Sequence, residues 1–203
     1  MDLINLELDN FNRQVYSLTY KDLPPKGRWV QPGWFGRNTK VVFIGQNPGY
    51  GSDEPDLRTT YEEHQSDYLS YVIKSPTGKL INEVITNAGY DWSEIAYTNI
   101  VKSPTPNNRP PTQDEIDFFA VYTFKQLQIL GHRVKKVVLF GKVAIKAFMG
   151  ENKYSMNTTR VFTLPGVVYK TGILTLFTYH PSYILRKGLE KEYTGFMSSF
   201  LKV

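Results

Sequence analysis

Three short polar motifs, each at or near the end of an apolar run, carry the side chains best suited to chemistry. Gly45-Gln46-Asn47-Pro48-Gly49 follows Lys40-Val41-Val42-Phe43-Ile44. Asn99 lies within Ile95-Ala96-Tyr97-Thr98-Asn99-Ile100-Val101, with Asn107-Asn108-Arg109 shortly after it. His180-Pro181-Ser182 follows Ile173-Leu174-Thr175-Leu176-Phe177-Thr178-Tyr179. A carboxamide offers both a donor and an acceptor, so it can read a polar edge or orient a water, although it removes no proton at neutral pH. A neutral imidazole donates from one nitrogen while a neighbour holds the other. Open α/β sheets assemble their sites at the carboxyl ends of their strands. Polar groups at three such ends imply one shared cleft, and with it an enzyme.

Apolar patterning marks the elements that must position these motifs. Continuous runs at 40–45, 95–102, 134–140 and 173–179 read as strands covered on both faces. Helices are expected over 61–74, 78–88, 142–149 and 189–201, and residues 2–20 form a helix or an extended lead-in. Thr112 with Glu115 makes a capping box. The helix it opens carries Ile116, Phe119, Ala120, Tyr122, Thr123, Leu127 and Leu130 at near-helical spacing, and Gly131 suits a left-handed cap. Segment 22–38, studded with Pro24, Pro25, Gly27, Pro32, Gly33 and Gly36, reads as irregular loop, as does 46–60. Arg160 to Lys170, broken by Pro165-Gly166, suggests a turn between short strands. This alternation predicts one domain over 1–203: an α/β fold, a three-layer α/β/α sandwich around a central four-stranded parallel sheet.

A length of 203 residues with 41% hydrophobic content fits one domain with a substantial core. No apolar stretch reaches the ~20 residues that span a bilayer, and Met1-Asp2-Leu3-Ile4-Asn5-Leu6-Glu7 lacks the basic-then-apolar order of a signal peptide. A cytoplasmic monomer without membrane contact is expected. Zero cysteines exclude disulfides, thiolate metal sites and cysteine-held iron–sulfur clusters, so neither metal nor cofactor is expected. Twenty-four Lys and Arg against nineteen Asp and Glu give a net charge of +5 and a pI near 9.2. That excess is compatible with a polyanionic partner such as DNA. Many basic proteins touch no nucleic acid, so the motifs must decide.

At these motifs, spread over residues 40 to 186, the chain resembles the uracil-DNA glycosylase superfamily. The Gly45-Gln46 start is similar to the uracil-specific branch, and Asn47-Pro48-Gly49 to the mismatch-specific and single-strand-selective branches. Thr98-Asn99-Ile100-Val101-Lys102 and Asn107-Asn108-Arg109-Pro110 resemble the middle motif of the thermophile-type branch, and His180-Pro181-Ser182-Tyr183-Ile184-Leu185-Arg186 its closing motif. The resemblance implies an enzyme that cleaves the bond between a flipped base and its deoxyribose. Such cleavage leaves negative charge on the base and oxocarbenium character on the sugar, so it needs donors for the base and an oriented water.

Under that resemblance Asn47 and His180 are the catalytic candidates, Asn47 orienting water and His180 donating to the base oxygen. Gln46, Asn99 and Asn108 would read the base, with Tyr61 a candidate to stack on it, in competition with Tyr68, Tyr71 and Trp34. Arg109, Ser182 and Arg186 would contact DNA, and Ile184 and Leu185 would supply an apolar wedge filling the gap left by the extruded nucleotide. Plainer readings stand beside each: an Asx-Pro turn at Asn47, a buried amide at Asn99, a solvated turn at Asn107-Asn108-Arg109, a buried helix start at Ile184-Leu185. Asp53 and Glu54 read as solvated loop charges rather than a base, and His64 and His132 as structural or surface residues.

Two positions depart from the family. Thermophile-type members carry four cysteines that hold an iron–sulfur cluster, and this chain has none. The uracil-specific branch places a tyrosine where Gly49 stands, walling off the pyrimidine 5-position. Glycine leaves that space open, so uracil or a 5-substituted pyrimidine is the expected substrate, with water as nucleophile. Rival readings are a DNA- or modified-base-binding module without catalysis, and a nucleoside or nucleotide hydrolase using the same cleft.

Overall fold

Val41-Val42-Phe43-Ile44 is buried throughout, and a strand with no exposed face needs helices on both sides. The computed structural model supplies them; it describes residues 2–18, 30–49, 60–150, 155–162 and 172–203. Among the described residues six strands form one sheet in the order β1-β3-β2-β4-β6-β5: β1 (Trp34–Phe35), β2 (Val41–Gly45), β3 (Ile95–Asn99), β4 (Lys136–Phe140), β5 (Thr158–Phe162) and β6 (Ile173–Thr178). The four central strands are parallel, with Gly45 opposite Asn99 and Phe140 opposite Thr178 at their carboxyl ends. The expected parallel core is therefore present. The sheet is wider than expected, because β1 pairs antiparallel with β3 and β5 antiparallel with β6.

Helices α1 (Leu3–Tyr16), α4 (Gln113–Leu130) and α5 (Gly141–Met149) cover one face. On the other lie α2 (Tyr61–Lys74), α3 (Pro76–Asn87), α6 (Pro181–Lys187) and α7 (Glu190–Lys202). Two apolar clusters fill the layers. Phe119, Leu127 and Ile145 pack beneath Val42 and Ile44, and Ile81, Val84 and Met197 pack over Phe43 and Phe140, whose rings stack at 5.6 Å. Fully burying a side chain of this size contributes about 1.5–3 kcal/mol.

Local signals set the helix ends. Thr112 and Glu115 form the expected capping box, and Ser75 caps α3 by accepting from the Gly78 amide at 2.9 Å. Gly131 has positive φ but an extended ψ, so α4 passes into a short tight turn instead of a left-handed cap. The third predicted strand segment starts at Lys136, two residues late, and the second ends early at Asn99. Beyond Asn99 the chain stays beside β2: the Ile100 amide donates to Gly45 O at 3.0 Å and that of Val101 to Gln46 O at 2.9 Å.

Buried Lys102 anchors the outer end of this region. Its Nζ donates to Thr98 Oγ1 at 2.6 Å and Gln126 Oε1 at 2.8 Å, with Pro32 O at 3.4 Å. Its carbonyl accepts from the Gln31 amide at 2.6 Å. The segment 30–33 is thereby tied to the end of β3.

Candidate active site

The chain runs from β2 outward to β3, then back across β2 to β4, so the sheet reverses direction between β2 and β4. Ligands of open α/β sheets bind in the crevice at such a reversal. A cavity of about 680 Å³ opens at these strand ends, lined among others by Gln46, Asn47, Asn99, Asn108, His180 and Arg186. The three motifs do converge.

Asn47 follows β2 directly and its amide is fixed by neighbours. Nδ2 donates to Pro48 O at 2.9 Å and lies 3.3 Å from Thr105 Oγ1, which itself donates to Arg109 O at 2.5 Å. Oδ1 accepts from Gln46 Nε2 at 3.0 Å. Both amide hydrogens are thus engaged, and the oxygen keeps a lone pair for a water.

Asn99 ends β3 and is 5% exposed. Its side chain folds over β2, where a Cβ on Gly45 would come within 2.4 Å of Asn99 Oδ1. Glycine is required at 45 for that close approach. Thr123 Oγ1 donates to the Asn99 carbonyl at 2.9 Å, locking the strand end onto α4.

His180 caps α6. Nδ1 accepts from the Ser182 amide at 3.2 Å and lies 2.8 Å from Ser182 Oγ. With Nδ1 occupied as an acceptor, the proton sits on Nε2. Burial pushes the imidazole pKa down to about 4, helped by the positive charge of Arg186. The ring is neutral at pH 7 and remains a donor. An assigned NMR titration is expected to show the Nε2-protonated tautomer with a midpoint near 4; a midpoint near the usual 6.5 would refute the assignment. The sign for stability follows. Below 6.5 the unfolded chain takes up the proton first, so this group favours unfolding progressively as pH falls toward 4.

The adjoining loop is held by pairs that spacing alone did not show. Asn107 and Asn108 both adopt positive φ, which asparagine tolerates better than most residues, and Asn108 reaches the cavity. Arg109 does not line it. Its guanidinium forks onto Glu115 at 2.8 and 2.6 Å, and this pairing holds the Glu115 carboxyl below its usual range. Arg109 therefore clamps the loop onto the start of α4.

Three further expectations are corrected. Ile184 is 3% exposed and belongs to the core, and Leu185 packs half-buried against it. One turn of helix from Pro181 rotates both inward. Tyr183 is the exposed ring of α6, stacked on Tyr179 at 5.0 Å. Tyr61 lies outside the cleft, its hydroxyl 3.1 Å from Asp9 and its ring under Arg13. Aromatic side chains that do line the cleft are Tyr68, Tyr97 and Phe140. Trp34 instead donates to Trp92 O. Ser182 and Gly49 line the cleft. Asp53 and Glu54, and the side chains of His64 and Tyr71, lie outside the described residues; His132 is exposed. Gln31 and Tyr97 are cavity residues that sequence reasoning missed.

The family described as the uracil DNA glycosylase superfamily matches residues 32–200. A type-4 uracil-DNA glycosylase of Archaeoglobus fulgidus is 26% identical over 205 aligned positions, covering 97% of this chain and 91% of that protein. One from Thermotoga maritima is 29% identical, covering 73% and 68%. A DNA polymerase of Bacillus phage SP01 is 24% identical over 86% of this chain, within 16% of its own length. The iron–sulfur cluster implied by the thermophile-type resemblance does not fit here. The chain has no cysteine, and no group of metal-ligating side chains occurs among the described residues.

Proposed function

The chain belongs to the uracil DNA glycosylase superfamily, and from that premise we propose that it extrudes and hydrolytically excises uracil or a 5-substituted pyrimidine from DNA. The observation that carries this reading is the convergence of Asn47, Asn99 and His180 on one cleft. Asn99 offers a donor and an acceptor to the edge of the flipped base. His180 Nε2–H donates to the base oxygen as negative charge develops there. Asn47 Oδ1 orients the water that attacks the sugar, and its lack of basicity implies slower turnover than a carboxylate would give. Arg186, at the rim, adds positive charge toward the phosphates.

Incubation with oligonucleotides carrying single uracil or modified pyrimidines, then alkaline scission and mass spectrometry of the released base, tests the proposal directly. A free base and an abasic site are expected, with chelator making no difference. Tight binding without base release would instead favour a binding module, the reading kept open by an amide at position 47. Two settings fit the chemistry: base-excision repair, and removal of modified bases from foreign DNA such as a phage genome.

Gly49 sets the expected substrate range. Among the described residues nothing lies within 4 Å of the place its Cβ would take, and its φ is not positive. Gly49→Tyr can therefore fold without backbone strain. It is expected to suppress excision of bulky 5-substituted pyrimidines ~10-fold or more relative to uracil, since the ring fills the volume a substituent needs. Unchanged discrimination in a folded, active variant would rule out an open 5-position.

A further inference from the structure

Thr105 opens the short turn Pro106–Asn108, yet its side chain makes no capping hydrogen bond there. A threonine in that place ordinarily accepts from a backbone amide two or three positions on. Here the residue is 1% exposed and its hydroxyl turns elsewhere. The hydrogen goes to Arg109 O at 2.5 Å, and the oxygen lies 3.3 Å from Asn47 Nδ2.

A hydroxyl has one hydrogen to give. With that hydrogen spent on Arg109 O, Thr105 can only accept from Asn47, so the amide must offer its nitrogen and not its oxygen. The two ends of a carboxamide differ little in size, and hydrogen bonding decides which way the group points. Pro48 O and Gln46 Nε2 also hold Asn47, at 2.9 and 3.0 Å, but both belong to adjacent residues. Such neighbours move with the loop they share. Among the described residues, only Thr105 ties this amide to a distant part of the chain. Its own acceptor is anchored in turn, because the Arg109 guanidinium forks onto Glu115 at the start of α4.

We propose that Thr105 is a positioning residue for base release, its hydroxyl setting the sense of the Asn47 amide so that Oδ1 is left for the attacking water. This inference rests on the reading of the cleft as a base-excision site. Thr105 touches neither base nor water in this scheme; it acts through Asn47. A reversed amide would turn a nitrogen donor toward the water and engage its lone pair, the electrons needed for attack on the sugar. The Asn47 oxygen instead accepts the water's hydrogen and leaves that pair free.

Thr105→Val removes the hydroxyl while keeping the shape of the side chain. Single-turnover release is followed on an oligonucleotide carrying the pyrimidine that the parent protein excises fastest. The rate is expected to fall about fivefold, the effect of one neutral hydrogen bond, with DNA affinity unchanged. Thr105→Ser, which keeps the hydroxyl, should recover the rate. In an Asn47→Ala background, Thr105→Val should slow the reaction no further. An unchanged rate, further slowing in that background, or no recovery with serine overturns the proposal. If Thr105→Val does not fold, Thr105→Ala set against Thr105→Ser isolates the hydroxyl in the same assay. A second readout needs no catalysis. In nitrogen-edited NMR spectra, the Asn47 Nδ2 hydrogen that faces Thr105 should exchange slowly with solvent, faster in Thr105→Val, and slowly again in Thr105→Ser. If the parent protein releases no base, the excision reading fails. The setting of the amide by Thr105 then stands on this exchange pattern, and falls if the Asn47 signals are alike in all three proteins.

Discussion

Replacing His180 with alanine is expected to slow base release by ~10²–10³, the usual cost of losing one donor aimed at developing charge, with little change in DNA affinity. The ground-state base oxygen carries only partial charge, so the Nε2–H bond strengthens mainly as the glycosidic bond breaks. Removing the ring also deletes the acceptor for the Ser182 amide, a helix-capping loss of about 1 kcal/mol. His180→Asn separates the effects, since asparagine restores a cap acceptor without restoring the ring donor. If His180→Asn recovered full activity, the histidine would be structural. Equal losses of affinity and rate in His180→Ala would lead to the same conclusion.

Gly45→Ala is expected to lower the rate of base release by ~10², through a residue it does not replace. The new methyl would sit 2.4 Å from Asn99 Oδ1, on the strand paired with Gly45. Neither strand can yield, because both are buried between helix layers. Asn99 must rotate, and overpacking costs a further 1–3 kcal/mol of stability. The double-mutant cycle with Asn99→Ala is decisive. If Gly45→Ala acts by displacing the amide, adding it to Asn99→Ala should slow the reaction no further. Additive losses would show that the methyl disturbs the cleft by another route.

The four parallel strands were legible because their apolar runs are unbroken, and the capping box because its two side chains stand three positions apart. Of the edge strands, the first was hidden, and the second was suggested only by the turn between short strands expected at 160–170. Trp34–Phe35 is two residues long inside a stretch rich in proline and glycine. The segment Thr158–Phe162 is half polar, as an exposed edge requires, and carries no buried-strand pattern. At the site, most of the polar motif residues line the cleft, whereas Arg109, Ile184, Leu185 and Tyr61 do not. Ile184 follows the histidine closely enough to suggest a wedge, yet Pro181 starts a helix whose rotation turns it inward. Arg109 reads as a free cation until Glu115, committed by its spacing to the helix cap, proves able to hold the guanidinium as well. Gln31 sits among prolines and glycines with no periodicity, and only the fold brings it to the cleft.

Lys102 has a consequence for how the protein exchanges protons with its surroundings. Enclosure among Thr98, Gln126 and Pro32 lowers its pKa well below 10.5, whereas the released chain would hold that proton at the ordinary lysine value. Unfolding at alkaline pH below 10.5 should therefore draw hydrogen ions from the buffer. Their number is readable as a dependence of calorimetric enthalpy on the buffer's own ionisation heat. The melting temperature should accordingly gain from this group as pH rises toward 10.5. Lys102→Met, which keeps the chain length without the amine, should abolish that portion of the gain. The amine that ties segment 30–33 to the sheet thus makes the cohesion of the cleft's outer wall depend on alkalinity.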